Sequence, residues 1–199
     1  MKFEEDTFNF KNMTDNLKER LKELIKTRAF KGSDTPSFPL ASGKKSCFYF
    51  NMKKVTFLAE GQSLVGQIVY DKIQELALRP KAVGGLTLGA DPIATSVSFT
   101  SFINKNPINA FIIRKERKDH GMGLQIEGNV EKGDTVVILD DVITTGKSTL
   151  QAINIAREHE LNILCAIALV DRCEENGQQN IEAEGIKVYS IYTIHDFKV

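Results

Sequence analysis

Apolar residues recur along this chain with two different periods. Between residues 12 and 28, and again between residues 60 and 78, they return every three or four positions, which predicts amphipathic helices. Shorter helices are predicted over residues 92–98 and 148–160. Short and nearly continuous apolar runs lie between the helices and are typical of buried parallel strands; they span residues 82–84, 109–113, 135–139, 163–170 and 186–194. Strands that alternate with helices predict one α/β domain with a central, mostly parallel sheet flanked by helices, and 199 residues suit a single domain.

The region before residue 52 departs from this alternation. Residues 32–36 have the composition of a loop, and residues 38–51 predict a β-hairpin with a polar turn over residues 42–46. The second strand of this hairpin is the aromatic run Phe48-Tyr49-Phe50. Such a cluster can simply fill a core. Beside a basic turn that contains Ser and Gly, it can also form the floor of a pocket for a flat anionic ring.

Candidate chemistry is concentrated where the strand predicted over residues 135–139 ends. Asp140 and Asp141 follow that strand, and Thr144 to Ser148 then supply hydroxyls and free backbone N–H groups at the start of a helix, where an anion is stabilised. An ordinary strand–turn–helix with a helix N-cap has a similar composition. A P-loop is excluded, because it requires a glycine at position 141. Since carboxylates accept hydrogen bonds from sugar hydroxyls, the stretch indicates a ligand with both a diol and a phosphate.

Two other loops carry candidate anion-binding groups. Gly85 to Gly89 form a glycine-containing loop that lets a backbone approach an oxyanion, although a plain turn has the same composition. Four of the five residues from Arg114 to Lys118 are basic, in a chain whose 26 Lys+Arg and 26 Asp+Glu give zero net charge. With Gly121 and Gly123 after them, these cations predict a mobile loop that closes on a polyphosphate and stabilises a leaving group. A solvated surface loop is the alternative.

The acidic pair and its loop resemble the phosphoribosyl pyrophosphate (PRPP) signature of the type I phosphoribosyltransferases. The resemblance implies that Asp140 and Asp141 hold the ribose hydroxyls, that the following loop wraps the 5′-phosphate, and that the loop before Ala90 contacts the pyrophosphate through its backbone. Some family members carry Lys in that last loop, where Leu88 or Gly89 stands here. The PRPP-binding residues implied on these three segments are Leu86, Thr87, Leu88, Gly89, Asp140, Asp141, Val142, Ile143, Thr144, Thr145, Gly146, Lys147 and Ser148.

Three further segments resemble the orotate phosphoribosyltransferases in particular. Residues 42–50 are similar to the N-terminal hood of that family, in which a Ser-Gly-x-x-Ser turn precedes an aromatic strand. Residues 114–123 are similar to its flexible catalytic loop, which acts across a dimer interface. Arg172 follows the apolar strand 163–170, so it either faces the ligand crevice or forms a surface salt bridge.

The resemblance assigns roles to the residues of these segments. Orotate is expected to contact Tyr49, Phe50, Thr144 and Arg172, whose planar fork suits bidentate pairing with a carboxylate. Pyrophosphate is expected to contact Arg114, Lys115, Lys118 and His120. The expected catalytic residues are Lys118, His120, Asp140 and Asp141.

The resemblance covers about residues 30–175 and implies the type I phosphoribosyltransferase fold. A hood is expected over about residues 1–58, to which the C-terminal segment could contribute, and a core over about residues 59–199. The implied reaction transfers 5-phosphoribosyl from PRPP to orotate and yields orotidine 5′-monophosphate and pyrophosphate, in pyrimidine biosynthesis. Mg2+ is the implied cofactor, held mainly by PRPP and through water to Asp140 or Asp141, with no direct protein ligands. A homodimer is implied by the family alone.

Composition excludes several other classes of protein. The zero net charge argues against a general binder of nucleic acid or membrane surfaces. No apolar run approaches transmembrane length, and the acidic N-terminal residues give no sign of a signal peptide. Cys47, Cys165 and Cys173 are odd in number and lack metal-ligand spacing, so we expect free thiols in a cytoplasmic protein.

Departures from the family pattern leave two other functions open. Many members carry Lys just before the Ser-Gly pair, whereas Ala41 stands there in this chain and Lys44 or Lys45 could serve instead. Together with the lysine-free Leu88-Gly89, this leaves a phosphoribosyltransferase for another base as one alternative. A non-catalytic PRPP-sensing regulator is the other, although a neutral chain of this length offers no obvious nucleic-acid-binding surface.

Overall fold

A computed structural model of the chain describes residues 14–39, 43–116 and 125–198. Helix α1 spans residues 14–24 and continues into a π-helical turn, Ile25–Ala29. The remaining helices are α2 (Lys53–Thr56), α3 (Ala59–Glu75), α4 (Asp91–Ile103), α5 (Lys147–Glu158) and α6 (Gly177–Glu182). The strands are β1 (Phe30–Gly32), β2 (Phe38–Pro39), β3 (Lys45–Ser46), β4 (Phe48–Phe50), β5 (Ala82–Leu86), β6 (Asn109–Ile113), β7 (Ile126–Gly128), β8 (Thr135–Ile143), β9 (Asn162–Asp171) and β10 (Val188–Thr193).

Six of these strands form the central sheet in the order β10-β9-β8-β5-β6-β7. All neighbours in it are parallel except β6 and β7, which are antiparallel. The predicted α/β fold with a mostly parallel central sheet is therefore confirmed. Since β5, β8 and β9 run the same way, their carboxyl ends and the loops that follow meet at one edge, where ligands bind in open α/β sheets.

Helices cover both faces of the sheet. Val137 and Leu139 of β8 pack into a cluster with apolar residues of α1, α3 and α4, whereas Val136 and Ile138 pack into a second cluster with α5. The alternation follows from the two-residue period of a strand. A strand buried on both faces is apolar at nearly every position, which is the pattern that predicted the sheet.

The segment predicted as the hood contains two small antiparallel pairs, whereas a single hairpin was predicted over residues 38–51. The aromatic strand β4 pairs with β1, opposite Phe30–Gly32, while β2 pairs with β3. The predicted hairpin forms between β2 and β3, but the aromatic strand β4 was wrongly predicted as its second strand, because β4 has two candidate partners and packing decides the pairing. Phe30 and Phe50 pack together with ring centroids 5.0 Å apart, and Phe197, near the chain end, contacts both at 5.8 and 5.3 Å.

Several element boundaries also differ from the predictions. Strand β8 continues through the two aspartates to Ile143 instead of ending at Leu139. Helix α4 runs on to Ile103, and neither β7 nor α6 was predicted. Their short segments have little periodicity of their own, so tertiary contacts decide their structure. None of the helices in the described ranges is both long and apolar enough to cross a membrane.

Candidate active site

A cleft of about 290 Å³ lies at the carboxyl edge of the central sheet. The hood forms one wall, and the ends of β8 and β9 with the loop before α5 form the other. The residues that line it are Pro39, Tyr49, Phe50, Asp140, Val142, Thr144, Thr145, Gly146, Lys147, Ser148 and Arg172. The structure thus brings the phosphate loop, one of the two aspartates and all four predicted acceptor contacts to a single cleft.

Asp140 is the buried member of the acidic pair. Its Oδ2 accepts a hydrogen bond of 2.7 Å from the Thr149 hydroxyl, and its Oδ1 accepts one of 2.9 Å from the Asp141 backbone N–H. Burial raises the pKa of Asp140 well above the ordinary aspartate value, and the neighbouring Asp141 charge raises it further. Thr149 lies nine residues after Asp140, in the first turn of α5, and its hydroxyl fixes the orientation of the Asp140 carboxyl group.

Asp141 is more exposed and lies between two other segments. Its Oδ2 is 3.8 Å from the Nζ of Lys53 in α2. On its other side is the glycine-containing loop after β5: a Cβ added to Gly89 would lie 2.7 Å from Asp141 Oδ1. The backbone of Leu86 to Gly89 therefore approaches the acidic pair closely, and any side chain at position 89 would displace the carboxylate.

The loop between β8 and α5 is held from outside by α6. Gly146 has φ 78°, in the left-handed region, and a Cβ there would lie 2.8 Å from the Gly177 carbonyl oxygen. Asn180 Nδ2 donates a 3.0 Å hydrogen bond to the Thr145 carbonyl oxygen. Thr144, Thr145 and Ser148, which carry hydroxyls, line the cleft beside the start of α5, which is a suitable arrangement for a phosphate.

Arg172 is buried in the wall of the cleft, directly after β9, with 7% of its surface exposed. Its Nη2 donates a 2.8 Å hydrogen bond to the Phe48 carbonyl oxygen and lies 2.6 Å from Glu174 Oε2. Its Nε has no hydrogen-bond partner among the residues that the structure describes. A surface salt bridge was one of the two alternatives predicted for Arg172. The ion pair with Glu174 is present, but it lies inside the cleft wall and not on the surface. Glu174 Oε1 in turn accepts a 2.7 Å hydrogen bond from the Ser46 hydroxyl.

Two aromatic side chains complete the acceptor side of the cleft. Tyr49 is partly exposed and stacks on Phe38 with ring centroids 5.7 Å apart and planes 24° apart. Phe50 faces the cleft and is backed by the aromatic cluster of the hood. A flat ring can therefore lie between these side chains and Arg172, whose guanidinium offers charge and direction.

Not every predicted residue lies in the cleft. Lys44 pairs with Glu175 at 3.1 Å, and Lys45 is exposed in β3 outside the cleft lining. Arg114 pairs with Glu127 at 2.8 Å, and the Lys115 carbonyl oxygen accepts a hydrogen bond from Gln151. The remaining predictions of the hood turn and the cationic loop lie outside the described residues: Ala41, Lys118 and His120. Within the described ranges, no group of three or more His, Cys, Asp or Glu side chains is placed to hold a metal ion.

Three site residues were not predicted from the sequence. Thr149 and Asn180 hold Asp140 and the phosphate loop, and Lys53 contacts Asp141. Thr149 had a usable signal, because a hydroxyl in the first turn of α5 lies above the end of the preceding strand. Asn180 and Lys53 depend on contacts with segments distant in the sequence, for which no local pattern exists.

Comparison with known proteins gave a consistent set of relatives. No family model matches the chain. The orotate phosphoribosyltransferase of Aquifex aeolicus is 47% identical over 179 residues, which cover 90% of this chain and 96% of that protein. The crystal structure of Mycobacterium tuberculosis orotate phosphoribosyltransferase with Fe(III) dicitrate superimposes with a TM-score of 0.78 at 30% identity, covering 92% of this chain and 99% of that one. The same enzyme in complex with PRPP gives a TM-score of 0.73 at 25% identity over 92% of both chains.

Proposed function

The chain belongs to the orotate phosphoribosyltransferase family, and on this basis we propose how its cleft carries out the reaction. The protein is an enzyme that transfers the 5-phosphoribosyl group of PRPP to orotate and yields orotidine 5′-monophosphate and pyrophosphate. The bond between ribose C1 and the pyrophosphate oxygen breaks, the bond between C1 and orotate N1 forms, and the N1 proton is released. One observation carries the assignment of the site: a single cleft joins a phosphate loop to a buried arginine and an aromatic wall.

The phosphate loop and the acidic pair form the proposed ribose 5-phosphate site. The backbone N–H groups and hydroxyls of residues 144–148 bind the 5′-phosphate. Asp140 and Asp141 accept hydrogen bonds from the ribose hydroxyls, and their charge favours the oxocarbenium-like ribosyl group that develops as pyrophosphate departs. Because Thr149 fixes Asp140, the carboxyl group does not need to reorganise during the reaction.

The opposite end of the cleft is the proposed orotate site. Arg172 pairs with the orotate carboxylate or ring carbonyls, and Tyr49 and Phe50 contact the ring. Thr144 also lines the cleft and is a further proposed orotate contact. Orotate carries its own negative charge near neutral pH, so orientation against the ribose and charge stabilisation supply the catalysis without a dedicated strong base.

Pyrophosphate is proposed to leave along the backbone of Leu86 to Gly89. Lys118 and His120 are the proposed catalytic cations of the loop over residues 114–123, with Arg114 and Lys115 as further contacts. The Asp141 carboxylate, part-exposed beside this backbone, suits water-mediated contact to Mg2+ that PRPP itself carries. Bound Mg2+ would offset the negative charge of the pyrophosphate.

We propose further that the protein is a homodimer in which each loop over residues 114–123 serves the neighbouring site. In support, α4 exposes three large apolar side chains, those of Phe99, Phe102 and Ile103, and Phe102 is 71% exposed. Contiguous apolar surface of this kind marks an association site. A cytoplasmic location belongs to the same proposal.

Mixing two inactive variants tests whether each active site takes its loop from the neighbouring subunit. Lys118→Ala alone and Asp141→Asn alone should each lose turnover, but dimers formed from both contain one site with an intact loop and an intact Asp141. Unfolding and refolding the mixture should therefore restore part of the activity. A mixture as inactive as its components would show that each loop serves its own subunit.

One assay tests the reaction and its acceptor. The protein is incubated with PRPP, Mg2+ and, in turn, orotate, uracil, hypoxanthine and guanine, and loss of each free base is followed. We expect turnover with orotate only, because Arg172 needs a carboxylate or ring carbonyls in the right place. Turnover with another base alone would support the alternative phosphoribosyltransferase, and binding of PRPP without turnover would support a regulator.

A further inference from the structure

Lys53, in the segment predicted as the hood, forms an ion pair with Asp141 of the acidic pair. It is the first residue of α2 and follows the aromatic strand β4 after only two residues. Helix α2 is firmly seated, because Met52 and Val55 on either side of Lys53 are buried in the core. The backbone position of Lys53 is therefore fixed, while its ammonium group extends to 3.8 Å from Asp141 Oδ2.

This contact contributes little to the stability of the fold. At 3.8 Å the ammonium and the carboxylate form an ion pair but no hydrogen bond, and half of the Lys53 side chain is exposed (50%). Exposed pairs of this kind contribute about 0–1 kcal/mol. The hydrogen-bond donors of the Lys53 ammonium remain available for a ligand.

The charges around Asp141 indicate what that ligand is. On the Gly89 side of Asp141, the site contains two carboxylates and the closely packed backbone of the Gly89 loop. A pyrophosphate bound there carries several negative charges, so the carboxylates repel it unless a cation lies nearby. Among the described residues, Lys53 is the one cation within ion-pair distance of Asp141. Arg114, at the end of the adjacent strand β6, already pairs with Glu127, and Lys44 pairs with Glu175.

We propose that Lys53 is a PRPP-binding residue whose ammonium group contacts the pyrophosphate beside Asp141. The inference rests on the proposed function, since it takes PRPP as the ligand of the cleft. In the free protein Asp141 holds the ammonium near the acidic pair. In the complex the ammonium lies between the carboxylate and the pyrophosphate and lowers the repulsion between them. The cation comes from the hood, on the helix that directly follows the orotate-binding strand.

Calorimetric titration with two ligands tests this role. PRPP and ribose 5-phosphate share the sugar and the 5′-phosphate, but only PRPP carries the pyrophosphate. With Mg2+ present, Lys53→Ala should weaken PRPP binding by about tenfold and change ribose 5-phosphate binding by less than about twofold. Lys53→Arg should recover most of the loss. The matched control is Lys54→Ala, because Lys54 is the next residue, is exposed and has no side-chain partner among the described residues.

The turnover assay gives a second measure of the same contact. Lys53→Ala should raise KM for PRPP more than KM for orotate, and Lys54→Ala should leave both unchanged. If Lys53→Ala does not fold, as judged by thermal unfolding, Lys53→Gln replaces it.

Two results would overturn the proposal. Unchanged PRPP binding in Lys53→Ala would show that the lysine only forms a surface ion pair. Equal weakening of PRPP and ribose 5-phosphate would show that it acts on the ribose through Asp141. These outcomes are separate from a failure of the proposed function, in which the unmodified protein binds PRPP but does not consume orotate.

Discussion

The two ends of the cleft are built in different ways. The ribose 5-phosphate end is contained in one strand–loop–helix unit, in which Asp140 and Thr149 are nine residues apart. The acceptor end is held by contacts between residues more than 120 positions apart: Arg172 with Phe48, Ser46 with Glu174, and Lys44 with Glu175. The first end needs its own segment and the support of α6, while the second exists only when the hood lies against the end of β9. Binding of the ribose 5-phosphate part of PRPP therefore depends mainly on one region of the chain, and choice of acceptor depends on the whole fold.

Asp141→Asn should have the largest effect, because it removes a charge from the ribose 5-phosphate end of the cleft and keeps the shape of the side chain. Turnover at saturating substrates should fall by about a hundredfold or more, since a neutral amide cannot stabilise the developing ribosyl cation. The thermal unfolding midpoint should stay close to that of the unmodified protein, because the side chain is partly exposed. Initial rates and a melting curve provide the two measurements. Near-normal turnover would remove Asp141 from the mechanism.

Arg172→Lys should weaken orotate binding while leaving PRPP binding nearly unchanged. Lysine keeps the positive charge but loses the planar fork, so KM for orotate should rise by about 10- to 100-fold. Calorimetric binding of PRPP should change little, because, within the described residues, the Arg172 side chain pairs with Phe48 and Glu174 and with none of the residues of the phosphate loop. If PRPP binding fell in parallel with orotate affinity, the two ends would not be independent.

Glu174→Gln should weaken the long-range contacts that hold the acceptor end. It leaves the buried guanidinium of Arg172 without a counter-charge, so the free energy of unfolding should fall by about 1–2 kcal/mol. Denaturant unfolding measures this change. The control is Glu175→Gln, since Glu175 pairs with the exposed Lys44 and its loss should cost no more than about 0.5 kcal/mol. Equal costs for the two variants would show that the buried pair contributes no more than a surface pair.

Asp140→Asn should change stability by less than Glu174→Gln does, and in the opposite direction. The folded state raises the pKa of this carboxyl group, chiefly through burial and then through the Asp141 charge, so its contribution to stability is present at low pH. That contribution is lost as the pH rises from the ordinary aspartate value of 3.8 through the raised value. An amide does not ionise, and its oxygen and nitrogen can pair with the Asp141 N–H and the Thr149 hydroxyl.

The Asp140→Asn variant should therefore be more stable than the unmodified protein by about 1 kcal/mol at about pH 8, with a smaller gain at about pH 5. Denaturant unfolding at the two pH values checks the trend. A gain that does not change with pH would show that another group is titrating.

The same contrast explains what the sequence could predict. The unit from Thr135 to Ser148 was recognisable because its strand, acidic pair and hydroxyl-rich loop are contiguous, and Arg172 because it directly follows an apolar strand. Even there, strand β8 was predicted too short, because two aspartates interrupt its apolar run. The backbone continues to pair with β9 beyond them.

The acceptor end was predicted only as a list of residues. The partner of the aromatic strand was wrong, because both β1 and β2 offer a phenylalanine next to a polar loop. Lys53 and the hydrogen bond between Ser46 and Glu174 were missed, since each contact joins segments far apart in the sequence. Propensity and periodicity describe neighbours along the chain and contain no information about such pairs.

The position of Phe197 has a consequence for how the enzyme is made. This ring packs against Phe30 and Phe50, two residues before the end of the 199-residue chain. During synthesis, the strand–loop–helix unit for ribose 5-phosphate leaves the ribosome well before residue 197 does. The aromatic support of the acceptor wall, in contrast, cannot close until residue 197 has been synthesised. A nascent chain, or one truncated before Phe197, therefore acquires its sugar-phosphate site first, and selectivity for the base matures after it.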